Sequence, residues 1–281
     1  MKIAIQGVAG CYHEAAARSY FSHSDVEMVN CESFDHQFEK MSKDNSLLGV
    51  VAIENTIAGS LLQNHELIRS SNLRIIGEQK IRISHVVAAL AGQSIEDIGE
   101  VSSHPIALMQ CRDWLKKHPW LKVVEYSDTA SSAMNIAEGQ LRGHAAICGE
   151  LAAQLYGLNI LQRGVETNKH NFTRFLVVAN EGVAESFTSS HKAVNKASLC
   201  FSLAHSQGAL SKVLTILSFY DVNLTKIQSL PIIGREWEYL FYVDVIFDNY
   251  TKYRQSIDAA RPLTNEFKIL GEYAECENPN V

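Results

Sequence analysis

No stretch of the chain approaches the ~18 consecutive apolar residues of a membrane-spanning helix. The longest uncharged apolar piece near the middle, Val86 to Ala91, has the length of a buried strand. Met1 to Gly7 carries one charge and then a short apolar run, too little for a signal peptide, so a cytoplasmic protein is expected. The six cysteines (Cys11, Cys31, Cys111, Cys148, Cys200 and Cys276) form no C-x-x-C pair, and without an export signal reduced thiols are expected. H-E-x-x-H is missing as well: His65-Glu66 runs into Leu67-Ile68-Arg69, and no metal site is expected. Basic charge is not in excess, with 25 Lys+Arg against 31 Asp+Glu for a net charge of -6. That balance argues against nucleic acid or an anionic membrane as the main partner, while a locally basic pocket for an anionic substrate stays open. Gly7 to Gly10 supplies half of a dinucleotide fingerprint, but His13 replaces the later glycine and no acidic ribose ligand is evident. No cofactor is expected.

What is present is a chain of 281 residues, 46% hydrophobic and 20% charged, enough for about two domains with real cores. Lys2 to Gln6 reads as a strand, Gly7 to Glu14 as a turn and Ala15 to Phe21 as a helix. Leu48 to Ile53 is a second buried strand followed by Glu54-Asn55-Thr56, and Leu61 to Ser70 reads as helical. Leu73 to Gln79 and Ile81 to Ala91 are β-rich. Val101 to Ser103 is a strand entering a helix at Pro105, with Ser103 as a possible cap and the helix running through Cys111, Trp114 and Leu115. Lys122 to Tyr126, Ala145 to Cys148 and Phe172 to Ala179 complete the strands, with helices opening at Asp128 and Glu150. This alternation predicts an α/β region with a largely parallel sheet, or two such sheets. Polar residues recur just past the strands, where open α/β sheets bind ligands.

Glu181 to Lys196 is polar, Ser-rich and aperiodic, and reads as a linker. Beyond it, strand Ala197 to Leu203, helix Ala209 to Tyr220, strands Asn223 to Leu230 and Tyr239 to Phe247, a helix within Tyr250 to Pro262 and strand Phe267 to Tyr273 follow the βαββαβ order of a ferredoxin-like α+β domain.

Taken singly, the candidate functional residues have structural explanations. Glu54-Asn55-Thr56 and Ser103 could cap helices. Gln110 could be a core-edge residue, and His170 to Phe175 the start of a strand with a surface arginine. A glycine turn such as Gly7 to Gly10 can present backbone N–H groups to an anion, but is a weak signal alone.

The residues occur together and in order, and together they resemble prephenate dehydratase. The segments that carry the resemblance are GVAGCYHEAA (7–16), VAIENTIAGSL (51–61), SSHPIALMQC (102–111), AAICGELAAQLYGL (145–158) and HNFTRFLVV (170–178). GALSKVLTIL (208–217) and NLTKIQSLP (223–231) continue it and resemble the ACT regulatory domain of that family. The resemblance implies a two-lobed catalytic region over residues 1–182, like type II periplasmic binding proteins with the active site in the cleft, and an ACT-like domain over 197–275. It implies decarboxylating dehydration of prephenate to phenylpyruvate, in phenylalanine biosynthesis, by a homodimer or homotetramer.

By the same resemblance Thr173, Asn55, Ser103 and Gln110 are catalytic. Glu54, Thr56, Arg174, Phe175, Gly10 and Cys11 are substrate-binding, with Arg174 either holding a carboxylate or bracing the cleft. Gly208, Ala209, Leu210, Asn223, Leu224, Gln228 and Ser229 are expected to bind an effector, phenylalanine. The chain departs from the family pattern at Val8 and Cys11-Tyr12-His13, where the family usually has Pro and Thr-Phe-Ser, and at Gln207 for Pro before G-A-L. Gln228-Ser229-Leu230-Pro231 stands for E-S-R-P, which weakens the expectation of phenylalanine control. Two rival readings are arogenate dehydratase and a non-catalytic solute or amino-acid sensor; the second would have no need of Thr173-Arg174-Phe175.

Overall fold

The computed structural model describes residues 1–190, 194–232, 234–235 and 238–276. The described chain falls into two compact units: Met1–Leu61 with Gln79–Phe175, and Leu62–Glu78 with residues 176–276.

The first unit contains two sheets. In one, strand Lys2–Gln6 lies between Glu27–Cys31 and Leu48–Asn55, parallel to both, and Leu48–Asn55 is flanked on its other side by the strand beginning at Phe172. Ile3, Ala4, Ile5, Val50 and Val51 are fully buried, as continuous apolar runs in a sheet covered on both faces must be. Strand Glu27–Cys31 and helix Phe34–Lys43 escape the sequence reading. The strand is only partly buried; the helix does show an apolar period, with Phe34, Phe38 and Met41 at i, i+4 and i+7, set among charged residues.

The second sheet has the order Asn159–Arg163, Val86–Ala89, His144–Cys148, Glu100–Ser103, Lys122–Glu125. Its last three strands are parallel, whereas Val86–Ala89 is antiparallel to both of its neighbours. Of the two expected arrangements the chain has the second, two sheets, but this one is mixed and not largely parallel. The helix expected from Pro105 through Leu115 is two helices, Pro105–Gln110 and Arg112–Lys117, broken at the fully buried Cys111. Ser103 caps neither. His104 is the N-cap, its Nδ1 accepting from the Ile106 amide at 3.2 Å, with Pro105 in the first turn.

The second unit carries the βαββαβ series as expected. Its strands lie in the order Asn223–Pro231, Tyr239–Ile246, Lys196–Leu203, Glu266–Tyr273, with the Lys196–Leu203 strand antiparallel to both neighbours. Helices Ala209–Phe219 and Tyr250–Ala260 contribute Val213, Leu217, Tyr253 and Ile257 to a core with Leu199, Phe201, Val243 and Val245. Gly271 pairs with Ile75, where any Cβ would collide with the Ile75 backbone. Inside this unit Lys196 and Glu78 form a buried ion pair at 2.9 Å, and Glu78 also accepts from the Cys276 amide at 3.0 Å. Glu181–Ser190 is a helix, not the aperiodic linker expected there; Val183 and Ala184 give it an apolar side too short to show as a period. Of that linker, residues 191–193 lie outside the described residues.

Among the described residues no helix is long and apolar enough to cross a membrane.

Candidate active site

The site is built where strand Leu48–Asn55 ends. Asn55 Oδ1 accepts from the backbone amides of Ile57 at 2.9 Å and Ala58 at 2.8 Å, an Asx turn. The turn reverses the chain so that Gly59–Ser60 pairs back on Glu54 and Asn55, with Gly59 at φ +85°, a conformation that glycine adopts without a Cβ penalty. Glu54-Asn55-Thr56 therefore does not cap a helix, because the next helix begins at Leu62.

The neighbouring strand is locked to this turn at its first residues. The Thr56 amide donates to Phe172 O at 2.9 Å, Phe172 N donates to Thr56 Oγ1 at 3.0 Å, and Thr56 Oγ1 donates to His170 O at 3.2 Å. Asn55 Nδ2 then faces three acceptors: Asn171 Oδ1 at 2.8 Å, Thr173 Oγ1 at 3.0 Å and Phe172 O at 3.2 Å. Because Thr173 Oγ1 accepts from Asn55, its own proton points elsewhere. Next to it, Arg174 Nη1 meets Glu54 Oε1 at 3.2 Å, with Arg174 buried. A cavity of about 260 Å³ opens here, lined by Glu54, Asn55, Thr56, Lys80, Phe172 and Arg174 together with Gly59 and Ser60. Lys80 was not among the expected residues. It lies near the carboxyl end of strand Leu73–Arg82, the position at which α/β sheets place ligand contacts.

Phe175 does not face this cavity. It is 1% exposed and packs edge-on against the His13 ring at 5.1 Å, so its contribution is to the core beneath the site. Ser103 lies on the second sheet, and Gln110 on the helix that follows its strand. Ser103 is fully buried and donates through Oγ to Ile147 O at 2.5 Å, which uses its only proton. Gln110 ends helix Pro105–Gln110; its Oε1 lies 3.1 Å from His85 Nε2, and its main-chain oxygen accepts from Thr167 N at 2.8 Å. His85 is buried, which lowers its pKa, and its amide donates to Glu166 Oε2 at 3.0 Å.

The glycine loop differs from the expectation of an anion cradle. Val8 N donates to Asp128 Oδ2 at 3.2 Å, Gly10 N to Glu14 Oε2 at 2.7 Å and Cys11 N to Val8 O at 3.2 Å. The protein's own carboxylates occupy the amides of Val8 and Gly10, so Gly10 and Cys11 offer no backbone donors to substrate. Gly10, at φ +84°, is required instead because a Cβ would stand 2.8 Å from Ala152 Cα. Burial pushes the Cys11 thiol up to about 12, so it remains protonated and is no nucleophile.

In the second unit, Gly208 takes φ 71° at the start of helix Ala209–Phe219, so Ala209 and Leu210 form its first turn. Asn223, Leu224, Gln228 and Ser229 lie on strand Asn223–Pro231, the end strand of the order given above, and Gln228 Nε2 donates to Ser229 O at 3.1 Å. Among the described residues, no group of three His, Cys, Asp or Glu side chains is arranged to hold a metal ion.

Comparison with known proteins places this geometry. The family description "Prephenate dehydratase" matches residues 3–183. The chloroplastic arogenate dehydratase/prephenate dehydratase 2 of Arabidopsis thaliana is 37% identical over 253 residues, which cover 87% of this chain and 65% of the relative. The chain thus spans just under two thirds of that relative's length. A solved structure of prephenate dehydratase from Arthrobacter aurescens, in complex with L-Phe, superposes with a TM-score of 0.86 at 27% identity, over 100% of this chain and 92% of the other. Another, described as a novel type of quorum-quenching acylase, gives a TM-score of 0.84 at 27% identity over 99% of both chains. The chain belongs to the prephenate dehydratase family.

Proposed function

We propose that this protein converts prephenate to phenylpyruvate, carbon dioxide and water. The observation that carries the reading is the Asn55–Thr173 hydrogen bond at 3.0 Å beside the cavity of Glu54, Lys80 and Arg174. Prephenate carries two carboxylates and a ring hydroxyl. Breaking the bond to the ring carboxylate sends its electron pair into the ring, the ring C–O bond breaks, and the departing oxygen leaves as water with one added proton. Aromatisation makes the reaction strongly downhill, so the protein's task is to orient the substrate and stabilise the leaving oxygen.

Asn55 holds Thr173 Oγ1 as an acceptor and so aims the Thr173 O–H at the leaving group. A threonine hydroxyl is a poor acid, and the added proton comes from water relayed through that hydrogen bond. Lys80 supplies positive charge in the cavity for a carboxylate. Arg174 braces the cleft through Glu54, the second of its two expected uses. Gln110 holds a substrate oxygen from the end of helix Pro105–Gln110, and Ser103 keeps the preceding strand in place.

The βαββαβ part, residues 197–275, serves as an ACT-like regulatory domain and residues 1–182 as the catalytic region. Its effector site is the Gly208-Ala209-Leu210 turn together with Asn223, Leu224, Gln228 and Ser229, and its ligand is phenylalanine, which the Arthrobacter aurescens relative holds in its complex. The chain works as a homodimer or homotetramer.

Purified protein offered equal concentrations of prephenate and arogenate tests the reading. Phenylpyruvate, seen by its absorbance in base, is expected to form faster than phenylalanine. Preference for arogenate would move the substrate assignment, and hydrolysis of acyl amides with no aromatisation would overturn the reaction class.

A further inference from the structure

We infer that Tyr12 and His85 are positioning residues that fix which end of the Gln110 amide is offered to substrate, an inference that rests on the dehydratase reading above. The three side chains form one line. Tyr12 Oη lies 2.7 Å from Ser84 O and 3.1 Å from His85 Nδ1, and His85 Nε2 lies 3.1 Å from Gln110 Oε1. The Tyr12 ring meets the His85 ring edge to face, with centroids 5.7 Å apart, and lies along Gly149, where a Cβ would stand 3.4 Å from Tyr12 Cζ. The line is therefore held by packing as well as by hydrogen bonds.

Its polarity follows from proton counting. His85 is 1% exposed, and burial lowers its pKa, so the ring is neutral and carries one N–H. Gln110 Oε1 can only accept, so that N–H sits on Nε2. Nδ1 is then a lone pair, and the Tyr12 hydroxyl faces it, sharing its proton between Nδ1 and the Ser84 carbonyl. Burial raises the Tyr12 pKa, which keeps that proton in place. With Oε1 held by His85, both N–H groups of the Gln110 amide are directed away from the imidazole. Prephenate presents acceptor oxygens throughout, so a donating amide suits it. Without the Tyr12 hydroxyl, His85 is released to its other tautomer, in which Nε2 accepts. The Gln110 amide then turns over and presents its carbonyl oxygen to an anionic substrate.

The test is a double-mutant cycle on the full chain. Tyr12→Phe removes one oxygen and leaves the ring on Gly149. It is expected to lower kcat/KM for prephenate roughly three- to tenfold, the effect of one hydrogen bond, while loss of the bond to Ser84 O lowers the melting temperature by only about 2–4 °C. In a Gln110→Ala background the same substitution is expected to have no further effect, because the group it orients has gone. Equal losses in both backgrounds, or no loss in the first, would overturn the inference. Nitrogen-15 spectra of the His85 ring give a readout independent of activity: the Nε2–H tautomer in the wild type and a mixture in Tyr12→Phe are expected, and an Nδ1–H wild type contradicts the inference. If the wild type turns over neither prephenate nor arogenate, the dehydratase reading falls, and the spectra alone decide the fate of the Tyr12–His85–Gln110 line.

Discussion

Asn55 Nδ2 stands 3.0 Å from Thr173 Oγ1 while Asn55 Oδ1 accepts from the amides of Ile57 and Ala58 at 2.9 and 2.8 Å. One side chain thus shapes the turn that lines the cavity and orients the hydroxyl of Thr173, between the lining residues Phe172 and Arg174. The two tasks use opposite ends of the amide and can be separated by substitution.

Asn55→Asp keeps an acceptor for the turn and loses the donor to Thr173, whose proton then turns to the new carboxylate. Turnover is expected to fall by roughly a hundredfold or more, the loss expected when one preorganised donor is misdirected. The melting temperature is expected to fall less than in Asn55→Ala, which also leaves two turn amides without their partner. Equal destabilisation in both variants would show that Oδ1 does not build the turn.

Stability is expected to decline in mild acid because of His13. The ring is buried against Phe34 and Phe175, and burial lowers its pKa from 6.5 to about 4. Between those values the unfolded chain binds a proton that the folded chain refuses. Stability is therefore fully present above 6.5 and declines as pH drops toward 4, by about 2 kcal/mol on reaching about pH 5. The lowered pKa of His85 acts in the same direction. Urea unfolding at about pH 7.5 and about pH 5 is expected to show a smaller pH difference in His13→Phe than in the wild type. Identical differences would remove His13 as a source.

Gly10→Ala and Gly157→Ala separate backbone strain from collision. Both glycines have positive φ, +84° and +65°, but a Cβ at Gly157 meets nothing within 4 Å, while one at Gly10 meets Ala152. Gly157→Ala is expected to cost about 1–2 kcal/mol from its conformation alone. Gly10→Ala is expected to add about 1–3 kcal/mol for overpacking. Urea midpoints that do not differ would show that the Gly10–Ala152 approach relaxes freely.

Phenylalanine is expected to inhibit weakly even at concentrations where it binds. Gln228 and Leu230 replace the charged pair of E-S-R-P, and Gln228 spends its amide on Ser229 O at 3.1 Å. A backbone pocket can survive such a change while the difference in affinity between two conformations, which regulation requires, is lost. Calorimetry and turnover measured over the same phenylalanine concentrations check this. Strong inhibition that tracks binding would show that the two substitutions leave coupling intact.

Much of this was legible because apolar runs and turn residues act locally. Strands Lys2–Gln6, Leu48–Asn55 and Phe172–Asn180 and the whole βαββαβ series stand out by hydrophobic pattern. Glu54, Asn55, Thr56 and Arg174 were recognisable because motif residues at two strand ends meet when the strands pair. Less legible were groups whose role depends on a distant partner. The Gly7–Gly10 loop reads as an anion cradle until Asp128, 120 residues from Val8, occupies one of its amides. Phe175 sits beside Thr173 and Arg174 in sequence, yet its ring packs into the core against His13. Tyr12 and His85 look like ordinary packing residues until Gln110 closes their line.

The most direct test of the account is turnover of prephenate by Thr173→Ala, with wild type and Thr173→Ser beside it, following both phenylpyruvate and released carbon dioxide. The hydroxyl oriented by Asn55 is the proposed donor to the leaving group, so Thr173→Ala is expected to lose roughly a hundred- to a thousandfold in kcat. KM and melting temperature should change little, and Thr173→Ser should keep more activity than Thr173→Ala. Near-normal kcat in Thr173→Ala would contradict the account.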